Sequence, residues 1–327
     1  MSVQVHSFAL ALAVLVAVRG LRSGSLDRSG AGAAALLGYC ALANPLSLFG
    51  TCLLGFYLAG SRATKVKAAV KATYEEADHV AGVSDRKAVS APAKTAKAGG
   101  NRSATQVACN ALIGTACAVV WRWLYSGEVG LRRGWQAEGR WCVTATSSQG
   151  GEYRSRLLVI AAVAFWAACC GDTFASELGI LSSGPPFLIT TFRPCPRGTN
   201  GGISAWGTLV SFLGGLLVGF LAVVSLLWQG QQSSCGGYVW MLEILAVAGM
   251  SGLGGSMLDS LLGGVFQPTY YSKTRSLVVH SSTPAPGSPT GEEIVRVPGS
   301  GWDVLSNNGV NALSTLVTAG AAAWYAS

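Results

Sequence analysis

The stretch GDTFASELG, residues 171 to 179, sets Asp172 and Glu177 directly behind the apolar run LLVIAAVAFWAACC. The two acids lie five residues apart, about 140° around a helix, so they share one face only where the helix breaks. Gly171 and Gly179 permit such a break, while Ser176 and Gly179 extend the Asp172 face. Carboxylates on a pliable backbone suit Mg²⁺, which takes one or two of them together with substrate phosphates. Further on, RPCPRGTNGG holds Arg193 and Arg197 and then Gly198, Thr199, Asn200, Gly201 and Gly202. Guanidinium forks and backbone amides in a glycine-rich turn bind phosphate, and the positive end of a helix expected from Ile203 adds to them. The alternative is an ordinary tight turn, since a Walker loop requires G-x-x-x-x-G-K-[ST].

A third acid, Asp259, sits in GGSMLDSLLGG, beside Ser260 and inside an apolar, glycine-rich segment. Acids within membrane segments are costly and point to function, although the small residues around this one also suit close helix packing. Its D-S-x-x-G echoes the A-S-x-x-G of residues 175–179. Near the two ends, LRSGSLDRSG contains Asp27, and GWDVLSNNGVNALS contains Asp303, Asn307, Asn308 and Asn311. Asn307 and Asn311 share a helical face, and helix capping or interhelical hydrogen bonding accounts for both clusters as well as ligand contact does. In GSRATKVKAAVK, Lys65 and Lys67 leave an apolar segment at headgroup level, where lipid or a substrate phosphate is the partner.

The elements that must hold these residues are membrane helices. Half of the 327 residues are hydrophobic and only 12% are charged, against about a quarter charged in soluble domains. Apolar runs at 104–120, 157–170, 203–228, 238–266 and 310–324 are continuous, which excludes a β-barrel of short alternating strands. Residues 3–18 have no charged n-region and are read as a first membrane helix. Residues 31–59 are interrupted at Asn44-Pro45, giving one kinked helix or two short halves. The expected fold is therefore all-α: a single polytopic membrane domain over 1–327, with six to eight segments, some broken at Gly or Pro. Flexible loops are expected at about 75–102 and 273–300, where Ser, Pro, Gly and charge replace core-forming residues. The cysteines lie mostly in apolar runs without a C-x-x-C pair and read as buried thiols, and the scattered histidines support no metal site.

The motifs S-R-A-T-K, GNRSATQVACN, GDTFASELG, ITTFRPCPRGTNGGIS, GGSMLDSLLGGVFQ and GWDVLSNNGVN occur in the order seen in the transmembrane protein 19 family, so the chain resembles that family from about Leu26 to Ser314. The family includes the plant and cyanobacterial phytyl-phosphate kinase. The resemblance implies a membrane enzyme that phosphorylates an isoprenoid monophosphate to the diphosphate, using a nucleoside triphosphate, with CTP a candidate. The acceptor is already ionised, so no general base is needed; the obstacle is repulsion between anions, which calls for Mg²⁺ and cations. On this reading Asp172, Glu177 and Asp259 hold Mg²⁺. Arg193, Arg197 and the 198–202 amides hold phosphates, Lys65 and Lys67 neutralise charge, and the prenyl tail lies between apolar helices. The rivals are an ion-coupled transporter or flippase built around a midplane Asp259, and a scaffold in which no acid matters. The expected partners are the membrane and these two substrates, with no nucleic acid. With no Ser/Arg-rich transit peptide ahead of the first apolar segment, an endomembrane such as the endoplasmic reticulum is expected rather than the plastid envelope.

Nine of the 23 Lys and Arg residues fall between Arg62 and Arg102, so that loop is expected to face the cytosol. A second basic loop at 122–156, with six Lys and Arg, falls on the opposite side after a single crossing at 104–121, and charge alone leaves the topology open. With the 62–102 loop in the cytosol, the N-R-S sequon at Asn101 should stay unmodified in eukaryotic expression. A glycosidase-sensitive mass shift that disappears in Asn101→Gln would reverse the orientation.

Overall fold

The computed structural model describes residues 6–71, 74, 101–125, 150–229, 238–279, 281–284 and 288–327. Its elements are helices α1 (Ser7–Ser23), α2 (Arg28–Leu42), α3 (Leu48–Ala63), the short α4 (Ala68–Lys71), α5 (Ala104–Tyr125), α6 (Gly150–Gly179), α7 (Ala205–Trp228), α8 (Val239–Phe266) and α9 (Asn307–Tyr325). Short strands β1 (Phe187–Leu188), β2 (Gly202–Ile203), β3 (Tyr270–Ser272), β4 (Leu277–Val279) and β5 (Ile294–Arg296) leave the class unchanged: this is a helical integral membrane protein. Among the described residues α5, α6, α7 and α8 are long and apolar enough to cross a bilayer. Helices α1 to α3 run 15 to 17 residues, below the roughly 20 needed for an untilted crossing.

Helix α6 is the axis. Every side chain from Val159 to Cys170 is buried, as a helix that is apolar all round must be. Helices α3, α5, α7, α8 and α9 all pack on it, α2 lies outside against α5 and α3, and α1 packs on α2. The interruption between α2 and α3 has a definite cause. Buried Asn44 accepts from Leu46 N–H at 2.9 Å and donates to the Ala118 carbonyl at 2.7 Å, fastening the turn to α5. The same end of the bundle is tied by Ser47 to Ser225, Trp121 to Ser155, and Arg156 to both Glu243 and the Ala326 carbonyl.

At the opposite end the chain re-enters through capped helix starts. Asp27 accepts from Gly30 N–H and from the Ser29 hydroxyl, which hold its carboxyl below the usual range. Ser204 and Ser306 cap α7 and α9 through Gly207 and Gly309. Asp27 is thus a cap, and α7 starts at Ala205, behind β2 and Ser204, rather than at Ile203.

The segment 273–300, read from sequence as a flexible loop, instead contributes two strands to an antiparallel sheet ordered β4-β3-β5. Tyr270 pairs with Val279 on one side and Arg296 on the other. Buried Glu292 joins the sheet through Ser272 and Arg275; the hydroxyls of Ser272 and Ser288, then Arg275, pull its carboxyl down to about 2. The other expected flexible loop, 75–102, lies outside the described residues as far as residue 100.

Three helices meet backbone to backbone through glycine. A Cβ on Gly252 of α8 would stand 2.7 Å from Gly215 Cα and from the Ser211 carbonyl oxygen of α7, and one on Gly214 would stand 3.0 Å from Gly171 Cα of α6. Gly252→Ala should accordingly force α7 and α8 apart, costing about 1–3 kcal/mol. The outward Gly254, with nothing within 4 Å, should accept Ala freely. Thermal unfolding in detergent checks this, and equal midpoints for the two variants would contradict the contact.

Candidate functional site

A cavity of about 950 Å³ opens at the end of the bundle where α3, α6 and α8 finish and α2, α5, α7 and α9 begin. Asp172, Ser176, Glu177, Arg197, Gly198, Thr199, Asn200, Gly201, Gly202, Asp259, Ser260, Asp303, Asn307, Asn308 and Asn311 all line it. The face is that of the basic 62–102 loop, because this loop joins α3 to α5.

The acids divide into a pair and a single. Helix α6 runs unbroken to Gly179, with the Ser176 hydroxyl donating to the Asp172 carbonyl. The expected break is absent because Gly171 serves close packing: a Cβ there would stand 2.5 Å from the Gly252 carbonyl oxygen. Asp172 and Glu177 therefore stay on different faces. Asp172 faces Asp259 across the α6–α8 contact, near enough for the two charges to interact. Asp259 Oδ1 accepts from Ser314 Oγ at 3.1 Å and from the Asn311 amide at 3.1 Å, and that amide also donates to the Asn307 carbonyl. Asn307, Asn311 and Ser314 form the single polar stripe of α9 that the i, i+4 spacing indicates.

Glu177 turns to Lys71, whose Nζ donates to its carboxylate at 2.7 Å and to the carbonyls of Ala63 and Thr64 at 2.9 and 3.1 Å. No group of three His, Cys, Asp or Glu side chains suited to one metal ion occurs among the described residues. Among the described residues the three acids thus stand as a pair on α6 and α8 and a lysine-bound glutamate rather than as one cluster. The aspartate pair still fits a hard divalent cation, since two carboxylates leave positions for phosphate oxygens, and its charges face each other in an enclosed polar cavity.

The expected phosphate ligands also sort themselves. Gly201, at φ 79°, lies against α8, where a Cβ would stand 2.6 Å from Gly264 Cα and 2.8 Å from the Ser260 carbonyl oxygen. The turn thus docks beside Asp259. Its amides at Thr199, Asn200 and Gly202 donate to Pro196 O, Thr269 Oγ1 and Thr199 O, so they serve the turn itself. The Arg197 fork donates to the carbonyls of Ile180, Ser183 and Gly184 and stacks on Tyr74, 4.8 Å from the ring centre. It holds together the 180–184 turn that follows α6 rather than reaching for a ligand. Arg193, Lys65 and Lys67 are exposed and do not line the cavity.

Sequence reasoning overlooked Lys71 and Arg102. Arg102 is held at its backbone by Ser25 and Asp27, and its side chain lines the cavity with Gln106 and Asn110. The spacing of these three, at i, i+4 and i+8 into α5, was the available signal. Burial lowers the Arg102 pKa, with Glu177 and then Tyr57 acting in the opposite direction. A guanidinium keeps its charge regardless.

Removing one partner of the Lys71–Glu177 pair, whose side chains are 9% and 25% exposed, leaves a charge enclosed. Lys71→Met should destabilise by about 2–3 kcal/mol, toward the low side of a fully buried pair because Glu177 is partly solvated. Adding Glu177→Gln should recover part of that loss in a double-mutant cycle. Additive losses would remove the pairing.

Residues 11–319 match the family model described as integral membrane protein DUF92. Protein PGR of Arabidopsis thaliana is 33% identical over 313 residues, covering 95% of this chain and 92% of that protein. Shorter matches join an uncharacterized membrane protein of Methanocaldococcus jannaschii, 38% identical over 31% of this chain and 37% of that protein, and one of Synechocystis, 44% identical over 20% and 25%. No solved structure matches. Spanning nearly every helix and each polar motif of the cavity, these similarities show that the chain belongs to the DUF92 integral membrane family, the same family as transmembrane protein 19.

Proposed function

We propose that the protein is a Mg²⁺-dependent phosphotransferase that moves the γ-phosphoryl group of a nucleoside triphosphate, with CTP a candidate, onto an isoprenoid monophosphate in an endomembrane such as the endoplasmic reticulum. The observation that carries this reading is the aspartate pair, Asp172 and Asp259, set in a polar cavity at the face of the basic loop. Phosphoryl transfer between anions asks the protein chiefly for positioning and charge compensation. Asp172 and Asp259 would hold the metal, which supplies compensation of phosphate charge. Ser314 and Asn311 fix the Asp259 carboxylate, and the Gly171–Gly252 contact fixes its distance from Asp172. Caps on α7 and α9 turn two positive helix ends toward the same space.

The depth of the acids favours this over transport. Asp259 lies seven residues before the end of α8, about 10 Å from that end, whereas a transport acid is expected near the midplane and remote from the 198–202 turn.

Asp172→Asn should lower phosphoryl transfer by about 10²-fold or more while leaving the detergent thermal midpoint close to that of the wild type, because the amide keeps the shape of the carboxyl. Near-wild-type turnover of labelled triphosphate with a prenyl monophosphate would overturn the assignment.

A further inference from the structure

We infer that the cavity binds a single-chain lipid anion, whose charged head meets Arg102 and whose tail lies in an apolar arm between α1, α2, α3 and α5. The inference deepens the phosphotransferase reading and rests on it for the choice of a phosphate head.

The cations of the cavity leave one candidate. Arg102 and Arg197 are its two basic lining residues among the described residues. Arg197 is engaged by three carbonyls, and Lys71 nearby is saturated by two carbonyls and Glu177. The Arg102 guanidinium makes one long bond, from Nη2 to Thr64 Oγ1 at 3.4 Å, among the described residues. An enclosed fork of five donors with so little to bond is built to receive acceptor oxygens. It lies within reach of the acids: a Cβ on Gly60 would stand 3.9 Å from Arg102 Nη2 and 3.3 Å from Thr173, the neighbour of Asp172.

From this point the cavity changes character. Its α2 lining consists of Ala34, Leu37, Gly38 and Leu42, and α3 adds Leu53 and Leu54. The lining follows α3 from Thr64 back to Gly50, roughly 21 Å at the helical rise. A free phosphate or a nucleotide has no use for such a length of apolar wall. A cavity of this volume is of the size that encloses one small ligand, so one chain rather than two fits beside the head.

Binding of geranyl monophosphate, farnesyl monophosphate, farnesol, phosphatidic acid and inorganic phosphate to the full-length protein in detergent, without nucleotide or Mg²⁺, tests both halves. Arg102→Gln should weaken farnesyl monophosphate about tenfold or more, as loss of a charge-assisted bond does, and leave farnesol unchanged. Arg102→Lys should retain part of the affinity. Gly38→Leu fills the arm, where only Ala13 Cβ comes within 4 Å of a new Cβ; it should weaken the farnesyl compound more than the geranyl one and leave inorganic phosphate unaffected. Unchanged affinity in Arg102→Gln would overturn the head assignment. Equal losses for both chain lengths, or phosphatidic acid binding as tightly as farnesyl monophosphate, would overturn the single-chain arm. Chain-dependent binding in a protein that transfers no phosphoryl group would support the arm and overturn the phosphotransferase.

Discussion

The meeting of α6, α7 and α8 through Gly171, Gly214, Gly215 and Gly252 sets the geometry of everything around it. Helices in a bilayer gain little from hiding apolar side chains, because the lipid is as apolar as they are, so close backbone approach and shared polar contacts hold them together. Where glycine removes the side chains, the residues just beyond are brought close as well. Asp172 follows Gly171 directly, and Asp259 lies two turns beyond Gly252 on the same helix face. The closeness of the two carboxyl groups is thus imposed by packing, and α9 supplies Asn311 and Ser314 to Asp259. A contact that serves cohesion in the middle of the bundle becomes a charged site at its end.

The remaining charges divide between structure and ligand by how many partners each already has. Lys71 and Glu177 satisfy one another and two carbonyls, closing the exit of α3. Arg197 satisfies carbonyls of the turn that follows α6, at Ile180, Ser183 and Gly184. Each of these arrangements removes a charge from the pool that could meet a phosphate. Arg102 differs because its backbone, not its side chain, is what ties residues 101–103 to the 25–27 segment that leads into α2. Its guanidinium is left for the cavity.

The helical membrane fold and the polar motifs were legible in the sequence, since long apolar runs and intramembrane acids are properties of residues themselves. Partners were not. Asp172 and Glu177 look alike five residues apart, and only the neighbouring helices decide that one faces Asp259 and the other Lys71. RPCPRG reads as a phosphate turn because forked donors and glycines suit anions, yet the carbonyls of the 180–184 turn suit the same forks. The strands within 273–300 escaped notice because runs such as SLVV and EIVRV are too short to show a period between Ser, Pro and Gly. Arg102 was hidden inside a stretch read as a basic loop, although Gln106 and Asn110 follow it at helical spacing.

The three-stranded sheet gives these parts a common boundary. Tyr270, Val278 and Val279 line the cavity, Thr269 and Pro268 receive Asn200 from the 198–202 turn, and the Val278 amide donates to the carbonyl of Tyr74, on whose ring Arg197 stacks. The glycine turn, the sheet and Tyr74 are therefore one connected cover beside the acids, joined by hydrogen bonds and by the buried cluster of Leu188, Cys195 and Val297. Because Trp302, Val304 and Leu305 donate to the carbonyls of Val265 and Phe266, it is anchored to the end of α8, the helix that carries Asp259. Any shift of the cover is thereby felt at the acid beside it.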